Sequence, residues 1–236
     1  MKPYSMHEKE GKIWPVLLIL IVIGGGVWLF FSFGKSRTLD QLFRENKRLK
    51  KALSNLTEED QIGYAKVLKQ EKKNGRLMTT LRFVETARSN KDDIVLSKEY
   101  IIQGDVVYFD ALIVKFDSKM VMDGTRRSLY LWRRIYGENT APKDGHEIEK
   151  AGKEPKRYEG FLGSDPFWYR LLGQPGDAER FWSAIWDLSN DPEKLNEYGI
   201  TAIYGNAVYK KLRPGFIYVF KIRNTGEVYP ETVPDM

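Results

Sequence analysis

Residues 14–34 read WPVLLILIVIGGGVWLFFSFG, a run of 21 residues without a charged side chain. A helix of that length, at about 1.5 Å per residue, would just cross the roughly 30 Å of hydrocarbon in a bilayer. Lysines flank the run, and it contains aromatic residues that suit a membrane interface: Lys12 and Lys35, then Trp14, Trp28 and Phe33. The pattern predicts an uncleaved signal-anchor, the transmembrane helix of a single-pass protein of the cell membrane.

Three other interpretations of this run are less favoured. A buried helix of a soluble domain is usually shorter and carries some polar residues. A cleaved signal peptide has an apolar region of about 7–15 residues followed by small residues, whereas Val-Trp-Leu-Phe-Phe follows Gly26. The glycines at 24–26 lack the GxxxG spacing of a helix-packing face, so they are interpreted as a tolerated flexible point.

The composition limits what the rest of the chain can do. About 200 residues follow the run, enough for one domain with a core, and 13% aromatic residues favour a folded domain over a disordered tail. The absence of cysteine excludes disulfides, thiolate metal sites and cysteine nucleophiles. The two histidines, His7 and His146, are far apart in the sequence. We therefore expect no histidine-based triad, no metal site and no cofactor.

The net charge of +6 is concentrated near the N-terminus. Residues 1–75 contain 14 Lys and Arg against 8 Asp and Glu, a net +6, and residues 76–236 contain 24 of each. Basic residues beside a bilayer commonly set topology or contact anionic headgroups. A neutral folded region lacks the basic footprint of a nucleic-acid-binding domain, so no nucleic-acid partner is expected.

The flanking charges leave the orientation open. Seven basic residues lie within 35–51 against three before the run, which by the positive-inside rule would place the C-terminal domain in the cytoplasm. Long domains after a short basic tail and one anchor are nevertheless usually exported, largely regardless of charge. We expect an extracytoplasmic C-terminal domain.

A heptad-like repeat follows the apolar run. Its members have the 3-4-3-4-3 spacing of a coiled-coil seam: Leu39, Leu42, Asn46, Leu49, Leu53 and Leu56. A single Asn at an a position fixes register and favours a parallel pair, so the repeat predicts a parallel homodimer. The repeat covers fewer than three heptads, and the alternative of an amphipathic helix that packs on its own domain stays open.

The whole segment 35–75 is predicted to be helical. A second helix would begin at Thr57, which is a good cap and is followed by three acidic residues. It would present an apolar side through Ile62 and Ala65 and end at Asn74-Gly75. The predicted organisation is a tail over 1–13, the membrane helix over 14–34, this segment, and a soluble domain over 76–236.

The residue pattern of the soluble domain predicts mainly strands, with helices between the fourth and the fifth of them. Strands are predicted over 77–87, 100–102, 106–116, 128–136, 200–212, 216–222 and 228–229. Helices are predicted over 177–188 and from Pro192 to a stop at Gly199. The predicted class is α+β, a mainly antiparallel sheet packed by C-terminal helices.

One predicted strand carries a charge in its middle. Residues 106–114 read VVYFDALIV, apolar on both faces, with Asp110 at the centre. A carboxylate in such a position needs a partner, and Arg82 and Arg133 are the candidates. A structural ion pair or a strand position open to solvent is favoured over a catalytic acid, although perturbed carboxylates do concentrate at functional sites.

Two pairs of arginines are typical of anion-binding sites. They are Arg126-Arg127 and Arg133-Arg134. Adjacent residues of a strand face opposite ways, so the second pair cannot act on one face unless a bulge intervenes. Surface charges with one aromatic–arginine stack are therefore the favoured interpretation.

Residues 139–177 form a long segment rich in Pro, Gly and charge, of a kind that is often functional. Its apolar residues either cover a sheet edge or form a partner-binding patch, and the two remain equal alternatives: Phe161, Phe167, Trp168 and Tyr169.

No Walker loop, GxGxxG, GxSxG or HExxH motif is present. The favoured function is a membrane-anchored assembly or scaffold protein that contacts the lipid bilayer, dimerises, and binds another protein through 76–236. The anchor and repeat are similar to the layout of cell-shape and division scaffold proteins of the bacterial envelope, which implies protein–protein interaction. The alternative is a membrane-anchored ligand-binding protein or enzyme that uses Asp110, Arg133 or Asp165. A cytoplasmic adaptor that binds anionic lipid through its basic helix is a weaker third.

Overall fold

The computed structural model describes residues 13–88, 90–150, 152–159, 182–183, 185, 192–197 and 199–235. The chain divides into two compact units, Met1–Lys50 and Lys51–Met236. One helix, α1, runs over Ile13–Thr57, so it supplies the described structure of the first unit and its last turns begin the second. Every side chain described in the first unit, at 14–28 and 39–50, is exposed.

The predicted transmembrane helix is corrected by the structure. Within the part of the chain that the structure describes, no helix combines the length and the apolar character needed to cross a membrane. The predictions of a single-pass signal-anchor, of a cell-membrane location and of an extracytoplasmic domain all depended on that span, so the same finding contradicts them.

The second unit consists mainly of strands. They are β1 (Glu59–Lys73), β2 (Arg76–Ala87), β3 (Asn90–Gln103), β4 (Val106–Phe116), β5 (Leu129–Gly137), β6 (His146–Glu147), β7 (Ile200–Lys211), β8 (Phe216–Arg223) and β9 (Val228–Pro234). Two short helices are α2 (Ser118–Met122) and α3 (Pro192–Glu197). Because strands make up more than half of the described residues of this unit and its helices are short, the predicted α+β class is wrong and the unit is a mostly antiparallel β structure.

The strands form two sheets that share one core. The first sheet has the order β3-β2-β1-β8-β9 and the second β6-β5-β4-β7, with antiparallel pairing between all the neighbours described. Rings from both sheets meet at the centre of this core, where Phe83 lies 5.2 Å from Trp132 and Phe109 lies 4.6 Å from Phe220 between ring centroids. Such pairs add about 0.5–1.5 kcal/mol each beyond the burial of their area. The unit is a β-sandwich.

The second sheet is also buried on its other face. Leu112 and Val114 of β4 contribute there to a second apolar cluster, which also contains Trp182, Ile185 and Leu195. Strand β4 is therefore buried on both faces, and any polar side chain on it must find a partner inside the protein.

The predicted layer of C-terminal helices on the sheet is wrong for the described residues. The helix described in that region, α3, has six residues, less than two turns. From Ile200 onwards the chain forms three strands at the predicted places, of which β7 joins the second sheet while β8 and β9 join the first.

The predicted helix from Thr57 to Gly75 is also wrong, because most of it is β1. The register of β1 against β8 shifts between Gln61 and Gly63, the sign of a bulge. Ile62, the extra residue of this bulge, and Ala65 both belong to the core. Their spacing of three residues resembles the spacing of core positions on a helix. A side chain at position 63 would bring a Cβ to 2.5 Å from the carbonyl oxygen of Val84, so the bulge requires glycine.

Asn74 and Gly75, which were predicted to end a helix, make the turn between β1 and β2. Their φ angles are 52° and 77°, and Lys73 pairs with Arg76 across the turn. Two successive positive φ angles define the tight hairpin turn for which Asn-Gly is the favoured sequence.

Candidate functional site

Asp110 lies on the outer face of the second sheet, 5% exposed. Nη2 of Arg133 is 3.1 Å from its carboxylate. Arg82 does not take part, because it belongs to the first sheet and pairs with Glu99 at 2.8 Å in an exposed position. Burial raises the pKa of Asp110, and Arg133 and then Arg134 oppose that rise.

A bulge brings the adjacent arginines to the same carboxylate. Asp110 is opposite Arg134 and Ala111 is opposite Trp132, so Arg133 is the extra residue of β5. Trp132 points into the core between the sheets, while the charges of Arg133 and Arg134 both lower the pKa of Asp110 against the effect of burial. The arrangement is a buried ion pair at a bulge, and regular strand alternation would not allow both arginines to act on one carboxylate.

A second buried ion cluster surrounds Arg157, whose side chain is 4% exposed. Its Nη1 donates to Glu85 at 2.6 Å and also to Glu149, and its Nη2 donates to Glu149 at 3.1 Å and to the backbone carbonyl of Tyr130. The guanidinium also lies 4.2 Å from the ring centre of Tyr130 and 4.7 Å from that of Tyr158.

The charges in this cluster do not balance, because two carboxylates share one guanidinium. Burial raises the pKa of Glu85 to about 7, although Arg157 opposes the rise. Burial also disfavours the charge on Arg157, but Glu149 and Glu85 outweigh that effect and hold its pKa above the usual range. Burial therefore favours the protonated form of Glu85.

Arg88 organises a third polar cluster. Its Nε donates to Asp60 at 2.7 Å, and its two terminal nitrogens donate to the backbone carbonyl of Ser128 at 2.5 Å and to the side-chain oxygen of Asn224 at 3.0 Å. Asn224 then donates to Glu58 and to the backbone of the last turn of α1. These bonds connect β1, the segments next to β2, β5 and β8, and the end of α1.

Arg88 and Arg157 both line one cleft of about 820 Å³. Basic side chains from three separate chain segments meet there: Arg88, Arg126, Arg127, Lys156 and Arg157. The pair Arg126-Arg127 thus belongs to this cleft, whereas Arg133-Arg134 belongs to the Asp110 site. The two pairs lie close together in the sequence, which did not show that they belong to different sites.

The residues of the predicted oligomerisation seam lie along α1. Leu39, Leu42, Asn46, Leu49 and Leu53 are exposed, and the four leucines are 53–62% exposed. Leu56 differs from them, because it is half-buried and packs against the second apolar cluster of the β domain.

The candidate partner patch, Phe161, Phe167, Trp168 and Tyr169, lies outside the described residues, as does Asp165. Among the residues that the structure does describe, no three His, Asp or Glu side chains converge in a way that could hold a metal ion.

The fold and these sites define an antiparallel β-sandwich preceded by a long helix. No protein-family model, no curated protein and no solved structure matches this chain.

Proposed function

We propose that this chain is a protein-interaction protein that forms a parallel homodimer through α1 and carries a β-sandwich domain on each copy for a protein partner. The row of exposed leucines supports the proposal: Leu39, Leu42, Leu49 and Leu53. Large apolar side chains that repeat at heptad spacing on a helix surface mark a contact with another helix.

Charges beside the row favour a second copy of the same helix in parallel orientation. With Leu39 at position a, Glu45 occupies a g position and Lys50 the next e position. In a parallel pair, a g residue faces the e residue of the following heptad on the partner helix, so glutamate meets lysine twice. An antiparallel pair would instead bring each of these residues against its own copy, with repulsion at both places.

The seam ends where the β domain begins. Ala52 is 9% exposed, and Asn55 donates a hydrogen bond to the carbonyl of Met122 at 2.8 Å. The last turn of α1 thus packs on its own domain, and Leu53 is the final seam residue open to a partner. About two heptads remain, which form only a weak helix pair, so a covalent trap is the appropriate test.

The chain's lack of cysteine makes disulfide trapping direct. We expect Leu49→Cys, at a d position, to form a disulfide-linked dimer in the full chain under mild oxidation. Arg48→Cys, one residue away at an outward position, is the matched control and should remain mostly monomeric. Equal cross-linking at both positions would show random collision and would contradict the proposed seam.

A charge exchange tests the orientation. Glu45→Lys should reduce the yield of Leu49→Cys dimer, because lysine would then face Lys50 of the other copy. Adding Lys50→Glu restores opposite charges in a parallel pair and should restore the yield. Failure of the second change to restore it would rule out this register.

A further inference from the structure

We propose that the cleft beside Arg88 binds a small organic anion, in which a phosphate or carboxylate group is attached to an apolar part. The cleft has a volume of about 820 Å³, within the range of roughly 300–1,000 Å³ that is typical of small-molecule sites.

The buried side of the cleft is held in place by hydrogen bonds within the protein. Arg88 and Arg157 are nearly inaccessible to solvent, with side chains 6% and 4% exposed, and their terminal nitrogens donate to carboxylate and carbonyl oxygens of the protein. These two arginines hold the wall in place, and they leave the recognition of an anion to other side chains.

Cations that can reach a ligand stand at the mouth. The side chain of Arg127 is 53% exposed, and its Nη1 lies 3.8 Å from Asp60, which Arg88 binds more closely at 2.7 Å. Lys156 lines the cleft from another segment and is exposed. An arginine with free donors can bind a phosphate or carboxylate through two parallel hydrogen bonds, and lysine adds a point charge.

The acidic side chains in the cleft do not neutralise its exposed basic side chains. Two carboxylates line the cleft, Glu58 and Asp93, while Arg88 and Arg157 are already matched by carboxylates of their own clusters, so Arg127 and Lys156 are the exposed cations to set against them. Glu58 already accepts a hydrogen bond from Asn224, and Asp93 is exposed on β3. The mouth near Arg127 and Lys156 therefore favours a negatively charged group.

An apolar lip makes an organic ligand more suitable than a bare ion. Ile94 and Val95 of β3 line the same cleft, and Ile94 is 57% exposed. An apolar group of the ligand that covers Ile94 would gain about 25 cal/mol for each Å² removed from water. The combination of cations and an aliphatic surface fits an aryl or alkyl phosphate or carboxylate.

Calorimetric titration of the full chain with phenyl phosphate tests this inference. We expect saturable binding of one equivalent, weaker binding of inorganic phosphate because it lacks the ring, and none of benzyl alcohol because it lacks the charge. Arg127→Gln with Lys156→Gln should weaken phenyl phosphate binding by about tenfold or more, since both charge-assisted contacts disappear.

The matched control is Arg76→Gln with Lys73→Gln, which removes the same two residue types at the exposed β1–β2 turn. It should bind phenyl phosphate like the native chain. Equal weakening by both double variants would show a general charge effect and would overturn the proposed site. Absence of saturable binding to the native chain up to about 10 mM, the range of very weak affinity, would overturn it as well.

Discussion

The Asp110 site and the Arg157 cluster are both buried ion pairs on the same β-sandwich, yet they differ in how completely they are enclosed. Asp110 is 5% exposed, but its partner Arg133 has a side chain 29% exposed. Arg157 and Glu85 are 4% and 2% exposed, and Glu149 makes the cluster unequal in charge. We infer from this comparison that the burial of the arginine, and not only that of the carboxylate, determines how much stability is lost when the ion pair is broken.

The largest effect is expected from Arg157→Met, which keeps much of the side-chain length and removes the charge. Glu85, Glu149 and the carbonyl of Tyr130 would lose their shared donor inside the protein. We expect the free energy of unfolding to fall by about 3–5 kcal/mol at pH 8. Urea denaturation followed by tryptophan fluorescence measures it, because Trp132 and Trp182 are fully buried. A loss under about 1 kcal/mol would mean that the cluster contributes little.

A pH effect comes next. The pKa of Glu85 is raised to about 7 by burial from its ordinary 4.5, so the folded state binds this proton more tightly than the unfolded state. Its contribution to stability is then complete below about pH 4.5 and is lost as the pH rises through about 7. The loss is on the order of 3 kcal/mol, measured as the unfolding free energy between pH 5 and pH 8.

Glu85→Gln isolates this contribution, because glutamine cannot titrate and keeps a similar shape. The variant should lose most of the decline in stability between pH 5 and pH 8. The same decline in both proteins would assign the effect to other groups. Asp110, whose pKa burial also raises, would contribute with the same sign in either protein.

A smaller loss is expected at the other buried site. Arg133→Met removes the partner of Asp110, but the site is partly open to water and Arg134 still acts on the same carboxyl. We expect a fall of about 1–2 kcal/mol in the unfolding free energy, well below that of Arg157→Met. An equal loss at the two sites would refute the ranking by depth.

The smallest effect is expected at Arg82, which pairs with Glu99 at the surface, both about half exposed. Arg82→Gln should change the unfolding free energy by about 0.5 kcal/mol or less, as is usual for exposed ion pairs. A larger loss would show that exposure is a poor guide to the energy of these pairs.

The two buried sites also differ in how far the sequence could reveal them. Asp110 was visible as one charge in a nine-residue apolar strand, and Arg133 was one of two candidates. Arg157 lies in the irregular segment 139–177, and its partner Glu85 is 72 positions away. No local pattern connects such residues, because each partner is meaningful only after the sandwich has formed.

Part of the fold could be predicted from the sequence, because single strands are specified by local patterns. Five predicted strands match β2, β4, β5, β7 and β8 to within a few residues, since alternation of apolar residues is a local property. The sequence predicted a helix at β1 because the bulge at Gly63 breaks the alternation of that strand. The first ten residues of β3, 90–99, were missed because most of them are exposed and half of them are charged.

The sequence by itself determined most strand positions, the heptad row on α1 and the need of Asp110 for a partner, because the spacing and polarity of neighbouring residues are properties of short segments. Only the tertiary structure decided that the strands form two sheets, that bulges bring Arg133 and Arg134 to one carboxyl, and that three distant segments line one basic cleft. Register, bulges and long-range ion pairs depend on residues that the chain separates and the fold brings together, so no window of sequence contains them.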